Sequence, residues 1–306
     1  MPRRSLTFLP QNIRLLNLRT LIRYRIMAQA APPKRPIKVL MLHGFTQSGP
    51  SFHAKTRALE KNLQKAFPAG ITLSYPTAPL RLAPADIPFP LPSQSNGDST
   101  PEEVDAWAWW RRKGDREPYT FEGIEQGLER IAEVLKTEGP FDGVIGFSQG
   151  GACAAMLASL LEPGRREAFE KFYSVGGMSY PSSFESDTGY MESVIHPPLK
   201  FAVSYSGFVA GGVDTYRGFY EPKIKTPMLH FLGTLDAVVE EKRSLALVER
   251  CEESEGRVVY HPGGHFLPSS QKAYVGALVG FMKEVLDKAE NGEKNEESVE
   301  YMDVPF

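Results

Sequence analysis

From Gly143 to Leu161 the chain carries no charged residue. A stretch that apolar must be buried, and its length approaches that of a membrane span. Composition decides between the two. Four glycines, a glutamine and two serines interrupt it. Its first third has β character, whereas Gly150 to Leu161 reads as helix. The stretch therefore predicts a buried strand turning sharply into a buried helix. The turn is Gly146-Phe147-Ser148-Gln149-Gly150, a G-x-S-x-G pattern. Such a turn strains the backbone at its central residue and leaves no room for side chains at the flanking positions, which explains the glycines. It exposes the serine hydroxyl at the carboxyl end of the strand, beside the N–H groups that open the helix. The pattern alone is weak, and its strand–turn–helix setting is what lends it weight.

The rest of the chain repeats that alternation. Apolar runs at Ile37–Leu42, Ile71–Tyr75, Phe141–Phe147, Phe201–Tyr205, Met228–Leu232 and Val258–Tyr260 read as strands. Helical spacing or end signals mark Ser51–Phe67, Phe121–Lys136, Gly150–Leu161, Glu240–Cys251 and Gln271–Ala289. Strands alternating with helices predict an α/β fold, with a mostly parallel central sheet and helices on both faces. Residues 36–289 are expected to form this domain, with a proline-rich, lid-like loop over residues 76–119. Residues 290–306 turn polar and acidic and read as a disordered tail.

Charge is unevenly spread along the 306 residues. The total of 35 Lys+Arg against 37 Asp+Glu gives a net charge of −2. Residues 1–35 hold eight of the basic residues, and the first acid in the chain is Glu60. The remainder therefore has 27 basic residues against 37 acidic ones, or −10. An acidic body excludes nucleic acid as an expected partner. The basic extension reads either as a targeting or disordered segment or as sequence upstream of a start at Met27. Two cysteines, Cys153 and Cys251, make no disulfide framework and no metal-binding pair. They suit a reducing compartment, hence a cytoplasmic expectation, or a mitochondrial one if residues 1–27 act as a presequence. No membrane span is expected.

A serine hydroxyl needs a base, and the base needs a carboxylate to orient it. The chain order for such an architecture is Ser, acid, His. His265, after the last strand in Pro262-Gly263-Gly264-His265, is the expected base, with His261 the competitor. His230 lies inside an apolar strand and reads as structural; His43 reads as a packing residue. Asp236, just past the strand Met228–Leu232, is the expected acid, because open α/β sheets place sites at the carboxyl ends of strands. The N–H groups of Phe45 and Gln149 are the expected donors to an oxyanion.

These motifs resemble a known family, the fungal and animal serine hydrolases abbreviated FSH, which are small α/β-hydrolases. The matching segments are Val39–Gly49, Pro140–Gly151 and Tyr260–His265, and Trp107–Trp110 and Tyr205–Phe208 are also similar. The resemblance spans about Ile37 to Ala289. It implies an α/β-hydrolase fold, Ser148, Asp236 and His265 as the triad, and esterase or thioesterase activity, in some fungal members releasing a polyketide chain from its synthase. The extension and the polar segment Ser182–Tyr190 fall outside the pattern. The acyl-protein thioesterase group shares Gly-Phe-Ser-Gln-Gly-Gly and is a neighbouring possibility.

Trp107, Trp109, Trp110 and Phe208 are the expected substrate contacts, with packing of the loop onto the core as the alternative for the tryptophans. Arg111-Arg112 reads as a solvated edge. No metal or cofactor is expected. The expected partner is a small-molecule ester or thioester, acyl-carrier- or CoA-linked among the options. The alternative is a non-catalytic ligand-binding protein on the same scaffold.

Overall fold

The computed structural model describes residues 35–87, 104–114, 119–186, 194–210 and 214–300. A boundary between two units falls between Pro36 and Ile37, and of the first unit only Arg35 and Pro36 are described. The extension up to Lys34, residues 88–103 and 115–118 of the expected lid, residues 187–193 of the polar segment, and residues 301–306 lie outside the described residues.

The six expected strands form one sheet. They are β1 (Ile37–Leu42), β2 (Ile71–Ser74), β7 (Gly143–Phe147), β8 (Phe201–Tyr205), β9 (Met228–Gly233) and β10 (Val258–His261). Their spatial order is β10-β9-β8-β7-β1-β2, and every pairing is parallel. Side chains alternate between two cores, as the two-residue period of a strand requires. Val39, Met41, Ile145 and Val203 pack on one face with α1 (Gly49–Ala66) and α6 (Lys272–Glu300). Leu40, Leu42, Val144 and Ala202 pack on the other with α2 (Ile124–Glu138) and α3 (Gln149–Leu160). Both faces are covered, which is why these strands read as continuous apolar runs. This is an α/β-hydrolase fold.

Two ribbons interrupt the stretch expected to be an irregular loop. β3 (Leu80–Arg81) pairs with β4 (Trp107–Ala108), and β5 (Arg111–Lys113) with β6 (Thr120–Glu122), both antiparallel. Phe121 therefore belongs to a strand rather than to the helix expected from it. Gly123, at φ 80°, makes the left-handed turn that separates them, and α2 begins one residue later. A further helix, α4 (Arg165–Tyr173), was not anticipated. The segment after it, around Ser182, packs through Phe184, which is fully buried.

The last helix passes Ala289, where a disordered tail was expected, and ends at Glu300. The Glu- and Lys-rich composition that suggests disorder is also good helix-forming composition. No helix among the described residues is long and apolar enough to cross a membrane.

β1 lies between β2 on one side and β7 on the other, so the strand order reverses between β1 and β7. At such a switch point the loops leaving neighbouring strands part in opposite directions and open a crevice. The loops that leave these two strands begin at His43 and Ser148.

Candidate active site

Ser148 occupies the strand-to-helix turn with φ 53° and ψ −117°, a left-handed conformation costly for a residue with a side chain. Its N–H donates to Tyr205 C=O at 2.8 Å and its C=O accepts from Ala152 N–H at 3.1 Å. The flanking glycines are required by contact. A Cβ on Gly146 would lie 1.9 Å from Gly150 O, and one on Gly150 would lie 2.0 Å from Leu42 O. The closeness of α3 to the end of β1 depends on that missing atom.

Asp236 and His265 come from the loops after β9 and β10, which are laced together by backbone bonds. Thr234 N–H donates to His261 C=O and Leu235 N–H to Gly263 C=O, each at 2.9 Å. His265 Nδ1 stands 2.8 Å from Asp236 Oδ2, and its Nε2 stands 2.9 Å from Ser148 Oγ. The carboxylate side chain is 3% exposed and the imidazole 17%, so the pair is anchored inside and open at the serine end. Asp236 Oδ1 accepts from the N–H groups of Val238 and Val239, both at 2.9 Å. Burial pushes the Asp236 carboxyl up, but the bonds from His265 and Val239 outweigh it and hold the group below its usual range. It is ionised at neutral pH.

The N–H groups of Phe45 and Gln149 have no acceptor among the described residues. Gln149 opens α3, where the first N–H groups have no partner within the helix. Phe45 follows Gly44, and Thr46 after it is held at φ 68° by its N–H bond to Trp107 C=O at 2.9 Å.

His43, His230 and His261 are all buried. His43 is fully buried; its Nε2 accepts from Ala78 N–H at 3.0 Å and its Nδ1 donates to Gly44 C=O at 2.8 Å. Burial holds its pKa down at about 4. His230 is likewise buried, against Cys251, and pushed down to about 4. His261, the competing base, is 1% exposed and packs between Phe266 and Tyr274, with neither ring nitrogen hydrogen-bonded among the described residues.

The expected substrate contacts divide. Trp110 and Phe208 line a cleft of about 1390 Å³ that also contains Phe45, Ser148 and Gln149. Trp109 does not reach it: its ring is fully buried and its Nε1 donates to His43 C=O at 2.9 Å. Trp107 also lies off the cleft lining, its Nε1 donating to Asp105 Oδ1 at 2.8 Å. Both belong to the packing alternative, because the ribbon β3–β4 turns them onto the loop after β1.

Two features carry no signal in the sequence. The Gln149 side chain clamps the tryptophan segment, its Oε1 accepting from Trp109 N–H at 2.9 Å and its Nε2 donating to Trp110 C=O at 2.8 Å. Arg111 and Arg112, expected at a solvated edge, line the cleft, together with Arg243.

A protein-family model described as Serine hydrolase (FSH1) matches residues 33–276. The chain belongs to that family. Among curated proteins, one from Schizosaccharomyces pombe named dihydrofolate reductase is 34% identical over 257 residues, which are 81% of this chain and 47% of that protein. This chain thus spans about half the length of that relative. Family of serine hydrolases 3 from Saccharomyces cerevisiae is 32% identical over 82% of this chain and 85% of its own length. Esterase OVCA2 from Danio rerio is 29% identical over 77% of this chain and 92% of its own.

Proposed function

We propose that the chain hydrolyses carboxylic esters or thioesters through an acyl-enzyme on Ser148. The observation that carries this reading is the hydrogen-bonded run from Asp236 through His265 to Ser148 Oγ, in a cleft also lined by Phe45 and Gln149, whose N–H groups have no acceptor among the described residues. His265 Nε2 takes the Ser148 proton as Oγ attacks the carbonyl carbon, while Asp236 accepts the Nδ1–H bond and stabilises the imidazolium. Negative charge moving onto the carbonyl oxygen is met by the N–H groups of Phe45 and Gln149, which have no other acceptor among the described residues. The imidazolium then protonates the departing alkoxide or thiolate. A water, deprotonated by His265, attacks the acyl-enzyme; the proton returns to Ser148 as the acid leaves. The relative named esterase supports the same class of bond. Trp110 and Phe208 give the cleft apolar walls suited to an acyl chain, and a polyketide or fatty acyl thioester falls within that range.

The test is the rate of p-nitrophenyl butyrate hydrolysis by Ser148→Ala. A loss of at least about 10³-fold is expected for removing a nucleophile. A variant as fast as the parent overturns the reading.

A further inference from the structure

We propose that Gln47 is a positioning residue for the reaction: its side chain closes the turn over residues 44–47 and so fixes the Phe45 N–H in the cleft that holds Ser148. The inference rests on the reading of Ser148 as nucleophile and of the Phe45 N–H as oxyanion donor, and names what holds that donor in place.

Gly44 C=O is the handle on the Phe45 N–H. The two groups share one planar trans peptide and point in opposite directions, so whatever holds the carbonyl aims the N–H. His43 Nδ1 and Gln47 N–H both donate to that carbonyl, at 2.8 and 3.2 Å. The residue that carries it is a glycine, free to turn about both of its dihedrals. A Cβ there would crowd Phe147, the residue before the nucleophile, at 3.0 Å from its ring and 3.3 Å from its C=O. Gln47 supplies the restraint that the glycine lacks. Its Oε1 accepts from Gly44 N–H at 3.2 Å, so one residue grips both sides of Gly44. Gln47 is 9% exposed and the bond is buried, so water does not readily replace it.

The turn also works against its own sequence. The bond from Gln47 N–H to Gly44 C=O closes a β-turn around Phe45 and Thr46, and of these two only Thr46 has a positive φ, 68°. That is a type II turn, which takes glycine or asparagine at its third position; a β-branched threonine there is strained. Two other residues with side chains share such a φ among the described residues, Ser148 at 53° and Ser206 at 47°. Both are held by central strands. Ser148 N–H donates to Tyr205 C=O of β8, and Ser206 N–H to Phe231 C=O of β9, each at 2.8 Å. Gly207, next in line, accepts from Ser244 Oγ of α5 (Glu241–Val248) at 2.7 Å. Thr46 N–H relies instead on Trp107 C=O of β4, a strand of two residues. The Gln47 side chain ties the same turn from inside.

The experiment is a double-mutant cycle read at the reacting centre. The proteins are the parent, Gln47→Met, Thr46→Gly, Thr46→Gly/Gln47→Met and Ser51→Ala. Methionine keeps the volume and removes the acceptor; glycine relieves the turn and keeps the N–H for Trp107. Ser51→Ala breaks the capping box that opens α1, where Ser51 Oγ accepts from Ser48 N–H at 2.8 Å, and is the control for loosening the segment alone. Two constants are measured per competent site, counted by fluorophosphonate labelling taken to completion: kcat/KM for p-nitrophenyl butyrate and Ki for butyl trifluoromethyl ketone. Ser148 Oγ adds to that ketone's carbonyl carbon, its proton passes to His265, and the π pair becomes an oxyanion placed as in the reaction. We expect Gln47→Met to lose about tenfold or more in kcat/KM, short of the roughly 10²–10³-fold for removing a donor outright. The ketone's Ki should rise in step, a response that lost stability alone does not produce. In the Thr46→Gly background the loss should shrink to about threefold, because glycine itself favours the turn. Ser51→Ala should lower Tm and leave both constants within about twofold of the parent. Constants for Gln47→Met within about twofold of the parent overturn the proposal, as does a Ki that stays put while kcat/KM falls, or an equal loss in Ser51→Ala. If Gln47→Met leaves no competent sites, Thr46→Gly and the double variant carry the test, a loss of about threefold supporting the proposal and equality overturning it. Hydrolysis that survives Ser148→Ala refutes the nucleophile reading itself, a separate result.

Discussion

On the proposed mechanism Gln149 has two separable tasks, since its backbone N–H is to receive the oxyanion while its side chain clamps the tryptophan segment. Gln149→Met separates them. Methionine keeps the volume, the helix propensity and the N–H, but removes both bonds to the backbone of Trp109 and Trp110. Those partners are buried, Trp109 at 0% and Trp110 at 2% exposure, so water does not readily replace the lost amide. A buried donor or acceptor left without a partner costs about 1–3 kcal/mol. Two of them give about 2–6 kcal/mol, with the lower end applying if the ribbon relaxes. With a urea slope of about 3 kcal/mol per molar, the midpoint should fall by about 1 M. All three tryptophans of the chain, Trp107, Trp109 and Trp110, sit in the clamped segment, so their fluorescence reports on the perturbed region directly. Circular dichroism reports on the sheet and helices, and coincident transitions by both probes license the comparison. The retained N–H should keep the loss in kcat below the roughly 10²-fold expected when an oxyanion donor is removed. A midpoint shift under about 0.2 M with native fluorescence would refute the clamp. A loss of activity equal to that of Ser148→Ala would refute the separation of tasks.

Two further outcomes follow from burial and contact. His43 and His230 are held at about 4, below the usual 6.5, so the unfolded chain binds more protons than the folded one between those values. Stability should therefore be full above about pH 6.5 and fall as pH drops towards 4, by about 2 kcal/mol per histidine at pH 5; equal urea midpoints at pH 7 and pH 5 would contradict this. Gly150→Ala sets a Cβ 2.0 Å from Leu42 O and 2.6 Å from His43 O, both backbone atoms that cannot rotate away. Forcing α3 off the end of β1 should cost about 3 kcal/mol and also part the Phe45 and Gln149 N–H groups, lowering kcat by about 10²-fold. Calorimetry and ester kinetics on the purified variant check both, and a variant with parental Tm and kcat removes the argument for that glycine.

What could be read from the chain tracks how locally each feature is determined. Strands buried on both faces announce themselves as apolar runs, and all six were legible for that reason. The tight turn at Ser148 was legible because its steric demand falls on residues two positions away, at Gly146 and Gly150. His265 was separable from His261 because two glycines free the chain after β10, whereas His261 is still inside the strand. The tryptophans were not separable. β4 is two residues long, too short to establish an alternating pattern, so nothing in Trp107-Ala108-Trp109-Trp110 says which ring faces the core. That assignment comes from Gln149, Asp105 and His43, whose partners are found only once the ribbon is folded against the loop after β1.

Charge shows the same limit at longer range. A total near zero concealed a cationic extension and an acidic body, and separating them by position was possible from the chain alone. Which side chains meet at the cleft is a further matter that position cannot reveal. Arg112 comes from a ribbon between β2 and β7, and Arg243 from a helix after β9, yet the switch in strand order between β1 and β7 brings both to the cleft that holds Ser148. Each is seated on an aromatic ring that belongs to a different segment, Tyr119 before β6 and Phe208 after β8. Neither contact is foreshadowed by position in the chain, because each joins segments that meet only once the sheet has formed.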